Sequence, residues 1–365
     1  MVIAHVFAST SWGGAEIYSL ELAEAQKKAG LNILFWATPG SRLWEEARAR
    51  GLEVIDQPLP PRIDFFSLRK IKKILEIHSI SHVHLHWSGG LWTFALIKKW
   101  FSFRLIYHVH LWMKHKKRDP LHWQLYKSID HIVVAGQRAR EAVLRCLPVK
   151  GNQIFVCPYA RHFSHKQDPT ITRSALQIPE EKLVFGIFAR LDRQKGILEF
   201  LEALKTIQSH NNNKLFFALV VGDPTAGEQD AEKYQMELQG FARAYLQGQI
   251  KFLPHQKDYL SFMNLCDVLV APSYHESYSL VFLDAFYLGK PVISTNAGGT
   301  PDLVTQKRGW LVPPQNTEFL VQTLQVVVEQ PEIIQQKGQA AQEYVVAEHS
   351  FEKVLEQLNF LYAKE

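Results

Sequence analysis

Residues 183–207 read LVFGIFARLDRQKGILEFLEALKTI and contain, in order, an apolar run, a short charged loop and an amphipathic segment. The apolar run 183–189 is short and rich in branched and aromatic residues, which predicts a buried β-strand. From Gly196 to Ile207 the apolar residues recur at helical spacing, which predicts an α-helix. A strand followed within a few residues by a helix is the repeating unit of a parallel sheet.

The same alternation runs through both halves of the chain. Strands are predicted in the first half at Val2–Phe7, Asn32–Thr38, His82–Leu85, Leu105–Val109 and Ile132–Ala135. Further strands are predicted in the second half at Leu215–Val221, Gln249–Leu253, Val268–Ala271 and Pro291–Thr295. Helical patterns lie between these strands, so the sequence predicts two α/β domains with parallel sheets.

The length of the chain also indicates two domains, because 365 residues exceed the ~250–300 at which one core stops growing. Segment 158–181 contains three prolines and few apolar residues, and we predict the linker there. We therefore place the domains at 1–165 and 166–344. The helical pattern at the end of the chain predicts a helix over 345–365 that packs back on the first domain.

Charge is spread unevenly between the two halves. Residues 1–165 hold 23 Lys and Arg against 12 Asp and Glu, a net charge of +11, whereas residues 166–365 carry a net charge of −6. The basic half is expected to face an anionic partner. The sequence shows no signal peptide, no apolar stretch of ~18 residues that could span a bilayer, and no CxxC pair. We expect a cytoplasmic protein that can bind the inner face of the membrane.

One stretch of the basic half, residues 91–118, mixes aromatic with basic side chains. Such a mixture suits the headgroup layer of an anionic membrane, where cations meet lipid and rings lie at the apolar boundary. The alternative is that the rings belong to the core and the lysines to a solvated face. The stretch contains Trp92, Phe94, Trp100, Phe101, Phe103 and Trp112 among Lys98, Lys99, Arg104, Lys114, Lys116, Lys117 and Arg118.

Three loops that follow predicted strands carry groups suited to a phosphorylated ligand, which binds at the carboxyl ends of parallel strands. Gly13 and Gly14 precede the first helix and would let backbone N–H groups approach an anion, although an ordinary tight turn has the same sequence. Arg190 and Lys195 could both reach one diphosphate, although a solvated basic turn is the alternative.

The strongest of the three loops lies between the strand ending at Ala271 and a helix predicted from Ser279. The first N–H groups of that helix, including those of Leu280 and Val281, have no helical acceptor and would point at an anion. Glu276 could accept bonds from sugar hydroxyls, and Asp284 could hold a ribose diol. The alternative reading makes Glu276 a solvated loop acid and Asp284 a helix surface acid.

Histidines alternate at two predicted strands, at positions 82, 84 and 86 and at positions 108 and 110, so each set lies on one face. No third ligand with suitable spacing is evident for a metal. The chain also contains no Asp-X-Asp triplet, so a divalent metal at a diphosphate is not indicated. We predict no metal site and no cofactor.

The residues resemble glycosyltransferase family 4 nearly from end to end. The matching blocks are GGAE at 13–16, VHLH at 83–86, YHVH at 107–110, residues 188–196, VVGD at 220–223 and the run from Pro272 to Asp302. The run resembles the family's acidic E-x7-E signature region, with Glu276 and Asp284 at the two acidic positions. The resemblance implies the GT-B fold, an α/β fold of two Rossmann-like domains with parallel sheets facing across a cleft.

The resemblance implies a retaining glycosyltransferase that moves a hexose-type sugar from a UDP- or GDP-linked donor to a glycan or lipid-linked acceptor. Such an enzyme would act in cell-surface polysaccharide or lipopolysaccharide synthesis and would not bind nucleic acid. A non-catalytic partner subunit with this fold and a nucleotide-sugar epimerase are the alternatives.

The family's roles carry over to individual residues. Arg190 and Lys195 would bind the diphosphate, Glu276 the donor sugar and Asp284 the ribose. Gly14, preceded by Gly13, would approach the phosphate or sugar. His110 would lie near the reacting carbon, and the helix beginning at Ser279 would add its dipole.

Three positions depart from the family pattern. Asp284 is one methylene shorter than the family's second signature Glu, and Arg190 follows an alanine in place of glycine. Tyr159 and Ala160 stand where the family usually has Asn-Gly after a proline.

Overall fold

The computed structural model describes residues 1–59, 63–163, 171–210, 216–225 and 229–363. The chain forms two compact units, one of Met1–His162 with Glu348–Glu365 and one of Phe163–Ala347. Residues 164–170 of the predicted linker and Leu215 of a predicted strand lie outside the described residues. None of the described helices is both long and apolar enough to cross a membrane.

The first unit contains a seven-stranded parallel sheet in the order β3-β2-β1-β4-β5-β6-β7. Its strands are β1 Val2–Phe7, β2 Asn32–Ala37, β3 Glu53–Val54, β4 His82–Leu85, β5 Arg104–Val109, β6 His131–Val134 and β7 Ile154–Val156. Its first six helices are α1 Gly14–Lys28, α2 Arg42–Ala49, α3 Phe65–Ile77, α4 Leu91–Ile97, α5 Pro120–Lys127 and α6 Gln137–Cys146.

The two faces of this sheet differ in chemistry because successive side chains of a strand alternate between faces. One face carries aliphatic residues such as Val6 and Leu85, which pack in a core with Leu68 of α3 and Phe94 of α4. The opposite face carries histidines, among them His84, which is fully buried. Strands buried on both faces are characteristic of parallel sheets.

The second unit contains a six-stranded parallel sheet in the order β10-β9-β8-β11-β12-β13. Its strands are β8 Leu183–Phe188, β9 Phe216–Val221, β10 Ile250–Leu253, β11 Val268–Ala271, β12 Val292–Thr295 and β13 Gly309–Val312. Its helices are α7 Ile197–His210, α8 Gln229–Tyr245, α9 Tyr259–Asn264, α10 Leu280–Tyr287, α11 Thr300–Leu303, α12 Thr317–Glu329 and α13 Glu332–Glu348. A last helix, α14 Phe351–Tyr362, belongs to the first unit.

The predicted fold class is confirmed, since both units are α/β with all strands parallel. The sequence analysis did not predict three strands, β3, β7 and β13. All three lie at an edge of their sheet and span two to four residues. The two and three residues of β3 and β7 are too few for a periodic pattern to be visible, so only the pairing in the folded chain reveals these two strands.

Candidate functional site

The loop after β8 and the loop after β11 lie against each other at the carboxyl edge of the second sheet. Gly196 ends a short 3₁₀ turn with φ +68°, and a Cβ there would lie 2.2 Å from the carbonyl oxygen of Pro272. Only glycine fits such an approach in that left-handed conformation. The backbone N–H of Tyr274 also donates to the carbonyl of Gln194 at 2.8 Å. These contacts fix the two loops relative to each other.

The contact between these loops brings a cation and a carboxylate together. Nζ of Lys195 lies 2.5 Å from Oε1 of Glu276 in a partly buried ion pair. The hydroxyl of Ser273 donates to the same Oε1 at 3.1 Å. Gly299 then donates its N–H to the carbonyl of Glu276 at 2.9 Å, which holds the backbone from behind. Two neighbours therefore fix the carboxylate of Glu276, and a third fixes its backbone.

Arg190 supplies a second cation on the same loop as Lys195. Its side chain is exposed and has no hydrogen bond or ion pair with the described residues. The backbone around it is fixed by a bond from the N–H of Leu191 to the carbonyl of Asp223 at 2.9 Å. An Arg side chain of this kind can take two oxygens of a phosphate through its planar fork.

Helix α10 begins at this edge of the sheet, one residue later than predicted. Ser279 is its N-cap in an extended conformation, and the serine side chain makes no capping bond. The first intrahelical N–H is that of Phe282, which donates to the carbonyl of Ser279. The N–H groups of Leu280 and Val281 therefore make no helical bond, as expected for a helix start, where the dipole favours an anion.

Asp284 lies in the second turn of α10 and is almost fully buried, so it is not the surface acid of the alternative reading. The hydroxyl of Tyr259, the first residue of α9, donates to Oδ2 of Asp284 at 2.6 Å. The sequence analysis missed Tyr259, because no local pattern links it to a residue 25 positions later.

The predicted glycine loop of the first unit is followed by a carboxylate in the first turn of α1. Gly13 is extended and is the N-cap of α1, which begins at Gly14. Glu16 in the first turn is buried, and Ser9 donates its hydroxyl to the Glu16 carboxylate at 2.7 Å. Because Glu16 already complements the helix dipole, this helix start is less suited to a phosphate than the start of α10.

His110 follows β5 at the carboxyl edge of the first sheet and is buried. Its Nε2 lies 2.8 Å from Nδ1 of His86, and its Nδ1 lies 2.6 Å from the hydroxyl of Tyr159. Both ring nitrogens are thus engaged within the unit. Burial lowers the pKa of His110 to about 3, so the ring is neutral at physiological pH.

The sequence analysis missed a sixth histidine, His5, that belongs with the five alternating ones. His5 of β1 is paired in register with His84 of β4. The statement that no third ligand is available was therefore wrong, because candidate ligand atoms of His5, His84 and His86 all lie within 4.8 Å of one another. The missing signal was long-range, since the pairing of β1 with β4 joins positions about 80 residues apart.

The aromatic residues of segment 91–118 are divided between the core and the surface. Phe94 and Phe103 are buried in the core of the first unit, so for them the core alternative is correct. Trp92 and Phe101 pack against that core, whereas Trp100 is more than half exposed.

Comparisons with known proteins identify the family and the fold of the chain. A family profile described as "Glycosyltransferase Family 4" matches residues 12–160, and one described as "Glycosyl transferases group 1" matches residues 168–344. A D-inositol 3-phosphate glycosyltransferase of Corynebacterium urealyticum is 31% identical over 197 residues, which cover 52% of this chain and 45% of that protein. The chain thus matches less than half the length of this relative.

Solved structures show the same fold over the whole chain. A glycosyltransferase from Rickettsia africae superimposes with a TM-score of 0.87 at 18% identity, covering 99% of this chain and 97% of that one. HepE of Anabaena in complex with UDP-glucose superimposes with a TM-score of 0.81 at 21% identity, covering 99% of each chain. With the motifs in their expected places, two family profiles and the GT-B fold, the chain belongs to glycosyltransferase family 4.

Proposed function

We propose that the chain transfers a hexose-type sugar from a UDP-linked donor to a glycan or lipid-linked acceptor, with retention of anomeric configuration. The observation that carries the proposal is the ion pair of Lys195 with Glu276 beside the exposed Arg190. Two cations that could bind a diphosphate thus stand on one loop, and one of them contacts a carboxylate that could bind a sugar. The likeness to HepE, which was crystallised with UDP-glucose, supports UDP over GDP as the nucleotide.

The residues are suited to stabilising a leaving diphosphate. When the bond between the anomeric carbon and the diphosphate oxygen breaks, negative charge develops on the phosphate. Lys195, held by Glu276, and the free N–H groups at the start of α10 are fixed beforehand, and Arg190 adds a second cation, so that together they would stabilise that charge. The acceptor oxygen bonds to the anomeric carbon on the same face, and its proton moves to the leaving phosphate oxygen, so no protein nucleophile is needed.

Glu276 and Asp284 would recognise the two ends of the donor. The Glu276 carboxylate, fixed through Oε1 by Lys195 and Ser273, accepts hydrogen bonds from the sugar hydroxyls. The Asp284 carboxylate, oriented by Tyr259, accepts hydrogen bonds from the ribose hydroxyls. Asp284 is one methylene shorter than the glutamate that the family has at this position. In this chain the hydroxyl of Tyr259 contacts the shorter carboxylate and orients it.

The proposed reaction uses no metal at the diphosphate. The two cationic side chains would carry out the charge stabilisation that a divalent ion performs in other transferases. Neither a metal nor another cofactor enters the proposed mechanism.

We further propose that the first unit binds an anionic membrane surface to reach a membrane-bound acceptor. Helices α3 and α5 both begin at the carboxyl edge of its sheet, and each exposes large apolar side chains there. Phe66 of α3 is 82% exposed, and Leu121 and Trp123 of α5 are 69% and 57% exposed. Lys114 and Lys116, just before α5, are exposed as well. The net charge of +11 over residues 1–165 is complementary to anionic lipid.

Vesicle co-sedimentation at low and high salt tests membrane binding. Each lysine near an anionic surface contributes about 1 kcal/mol, so replacing Lys114 and Lys116 by Gln should weaken binding at low salt about 30-fold. The matched control is Lys233→Gln on the second unit, where the side chain is 69% exposed. Equal binding to anionic and neutral vesicles, or none to either, would favour a soluble acceptor.

A thermal-shift screen followed by turnover tests the transferase function. UDP-glucose should raise the melting temperature more than GDP-mannose does, because a ligand that binds the native state stabilises it by mass action. Release of UDP that accelerates with an acceptor supports transfer, and NMR of the product shows whether the anomeric configuration is retained. Conversion of the donor sugar into its epimer without release of UDP would indicate an epimerase. Binding of the donor without any turnover would indicate a non-catalytic subunit.

A further inference from the structure

Five imidazoles form a continuous buried array beneath α1 and α14 of the first unit. His5 lies on β1, His84 on β4 and His108 on β5, while His86 and His110 directly follow β4 and β5. His110 is 9% exposed, and the other four histidines are at most 4% exposed. All five point to the same face of the sheet, because the strands are paired in register. We call this array the histidine ladder.

One row of the ladder runs from Tyr159 to Gln26. The Tyr159 hydroxyl lies 2.6 Å from Nδ1 of His110, and Nε2 of His110 lies 2.8 Å from Nδ1 of His86. Nε2 of His86 lies 2.9 Å from Nδ1 of His5, and Nε2 of His5 lies 2.6 Å from Oε1 of Gln26. Each ring therefore uses one nitrogen toward each neighbour.

The second row continues from the other end of the Gln26 amide. Nε2 of Gln26 donates to the Tyr362 hydroxyl at 3.1 Å, and that hydroxyl lies 2.5 Å from Nδ1 of His84. Nε2 of His84 lies 3.2 Å from Nδ1 of His108. The row ends at Nε2 of His108, which has no hydrogen-bond partner in the described part of the chain.

With the Gln26 amide oxygen toward His5 and its nitrogen toward Tyr362, as in the structure, the donors and acceptors of both rows follow. An amide oxygen can only accept and an amide nitrogen can only donate. His5 must therefore carry its proton on Nε2, and each neutral ring in turn can only accept at Nδ1 and donate from Nε2. The same reasoning along the second row starts with the Tyr362 hydroxyl, which accepts from Gln26 and so donates to His84. All five histidines are thus the Nε2–H tautomer.

We propose that Gln26 is a positioning residue for His110, fixing it through His5 and His86 as a neutral Nε2–H imidazole. The inference rests on the proposed function in one respect, because the family resemblance implies that His110 lies near the carbon at which the proposed transfer occurs. A glycosyl transfer passes through a transition state with positive, oxocarbenium-like charge on the sugar. A cationic His110 would oppose that charge, whereas a neutral ring of fixed orientation does not.

The surroundings of the ladder also disfavour a proton on any of its rings. Burial lowers the pKa of His5 to about 4 and lowers that of His84, His86 and His108 well below the usual value, with the neighbouring histidines as a second cause for these three. Tyr18, Tyr159 and Tyr362 face the ladder, with Cys157 beside Tyr18 and Tyr362, and burial raises the pKa of all four. A charged pair, Arg161 with Glu21, lies beside Tyr18.

A metal ion is the competing occupant of this cluster. Two imidazole nitrogens bound to one tetrahedral zinc ion at ~2.0–2.1 Å would be roughly 3.3 Å apart. The paired nitrogens of His5 and His86, and of His86 and His110, are closer than that and already share a hydrogen bond. Each Nδ1 lone pair is in use, so the geometry favours the hydrogen-bonded array.

Long-range proton–nitrogen NMR of the full chain, labelled with ¹⁵N at histidine, tests the proposal, because protonated and unprotonated ring nitrogens give separate signals. The measurement needs no nucleotide-sugar substrate. The wild type should show Nε2–H tautomers at all five positions. Gln26→Leu should give mixed tautomers at His5, His86 and His110, and kcat should fall about tenfold with an unchanged KM for the donor. The control Gln153→Leu removes a hydrogen bond to the carbonyl of Ile129, outside the ladder, and should change neither the tautomers nor kcat.

Two further variants separate positioning from a merely structural role. In Gln26→Glu the carboxylate accepts from both neighbours, so His5, His86 and His110 should keep Nε2–H and activity, while His84 and His108 should switch to Nδ1–H. Tyr159→Phe should leave all tautomers unchanged and should fold, because the Tyr159 ring stacks on Tyr18 with centroids 4.1 Å apart.

Three results would overturn the proposal. The first is unaltered tautomers in Gln26→Leu, and the second is a change in the tautomer of any ladder histidine in Tyr159→Phe. The third is one zinc ion per chain in the wild type, measured by mass spectrometry. None of them depends on the transferase activity, so they remain distinct from a failure of the proposed function.

Discussion

The ammonium group of Lys195 lies 2.5 Å from Oε1 of Glu276, although 81 residues separate the two in the chain. The pair joins the loop after β8 to the loop after β11 and defines the centre of the candidate donor site. Because Glu276 holds Lys195 in place, the proposed diphosphate would meet a cation that is already positioned, and this relationship leads to the first two predictions.

Lys195→Met should reduce kcat by about 10²–10³-fold, because it removes one fixed group that stabilises the leaving phosphate. Steady-state kinetics with UDP-glucose measure the effect. The matched control is Arg193→Met on the same loop, where the side chain is exposed and pairs with Glu237. Unchanged turnover in a folded Lys195→Met protein would contradict the diphosphate role.

Glu276→Ala should lower turnover far more than it weakens the binding of UDP, since the proposed partner of the carboxylate is the sugar. Ser273→Ala should have a smaller effect on kcat, because it removes one hydrogen bond to the Glu276 carboxylate and leaves the ion pair with Lys195 in place. Calorimetric titration with UDP gives the comparison. An equal loss of UDP affinity and turnover in Glu276→Ala would show that the carboxylate does not act on the sugar.

Asp284→Ala should weaken UDP binding about 10- to 100-fold, the loss expected for hydrogen bonds to a charged group. If Asp284 holds the ribose, 2′-deoxy-UDP should bind the wild type less tightly than UDP but should bind the variant equally well. Tyr259→Phe should give an intermediate loss, since the carboxylate remains but is no longer oriented. Asp230→Ala, at a fully exposed acid, serves as the control. A preference for UDP that survives in Asp284→Ala would exclude the ribose contact.

Transfer should continue in the presence of EDTA, because the proposed site relies on Arg190 and Lys195 for charge stabilisation. The measurement is the initial rate before and after chelation and dialysis. Loss of activity that magnesium or manganese restores would refute the metal-free mechanism.

The protein should lose stability as the pH falls below about 6.5, the ordinary histidine value. The pKa of His5 is lowered to about 4 and that of His110 to about 3 in the folded chain, so between these values and 6.5 the unfolded state binds more protons. Stability is therefore complete above 6.5 and falls by about 1.4 kcal/mol per pH unit for each such histidine.

Urea unfolding between pH 7.5 and 5 measures this dependence. The variant His5→Gln should have a shallower slope, by about 1.4 kcal/mol per pH unit. A wild-type stability that does not change over this range would mean that the buried rings do not resist protonation.

Much of the candidate site was predictable from local sequence. Arg190 and Lys195 stand in a loop directly after a strong strand pattern, and Ser279, Leu280 and Val281 stand at a predicted helix start. These assignments need only short-range information. Tyr259 was not predictable, because it reaches Asp284 from a different helix and its own neighbourhood has no distinctive pattern.

The histidine ladder shows the same division between local and long-range information. The alternation at 84 and 86 and at 108 and 110 predicts that each pair lies on one face of a strand. Neither His5 nor Gln26 can be assigned to the ladder from local patterns, because His5 meets His84 through strand pairing and Gln26 lies on α1.

The sequence by itself determined the alternation of strands and helices, the parallel sheets and the loops that carry the charged residues, because periodicity and turn residues act over a few positions. Only the tertiary structure decided that Lys195 pairs with Glu276, that Tyr259 orients Asp284 and that Gln26 fixes the tautomers of five histidines. These contacts depend on strand order, register and the close approach of loops at glycine. They join residues tens of positions apart or on separate elements, so they follow from packing rather than from any local pattern.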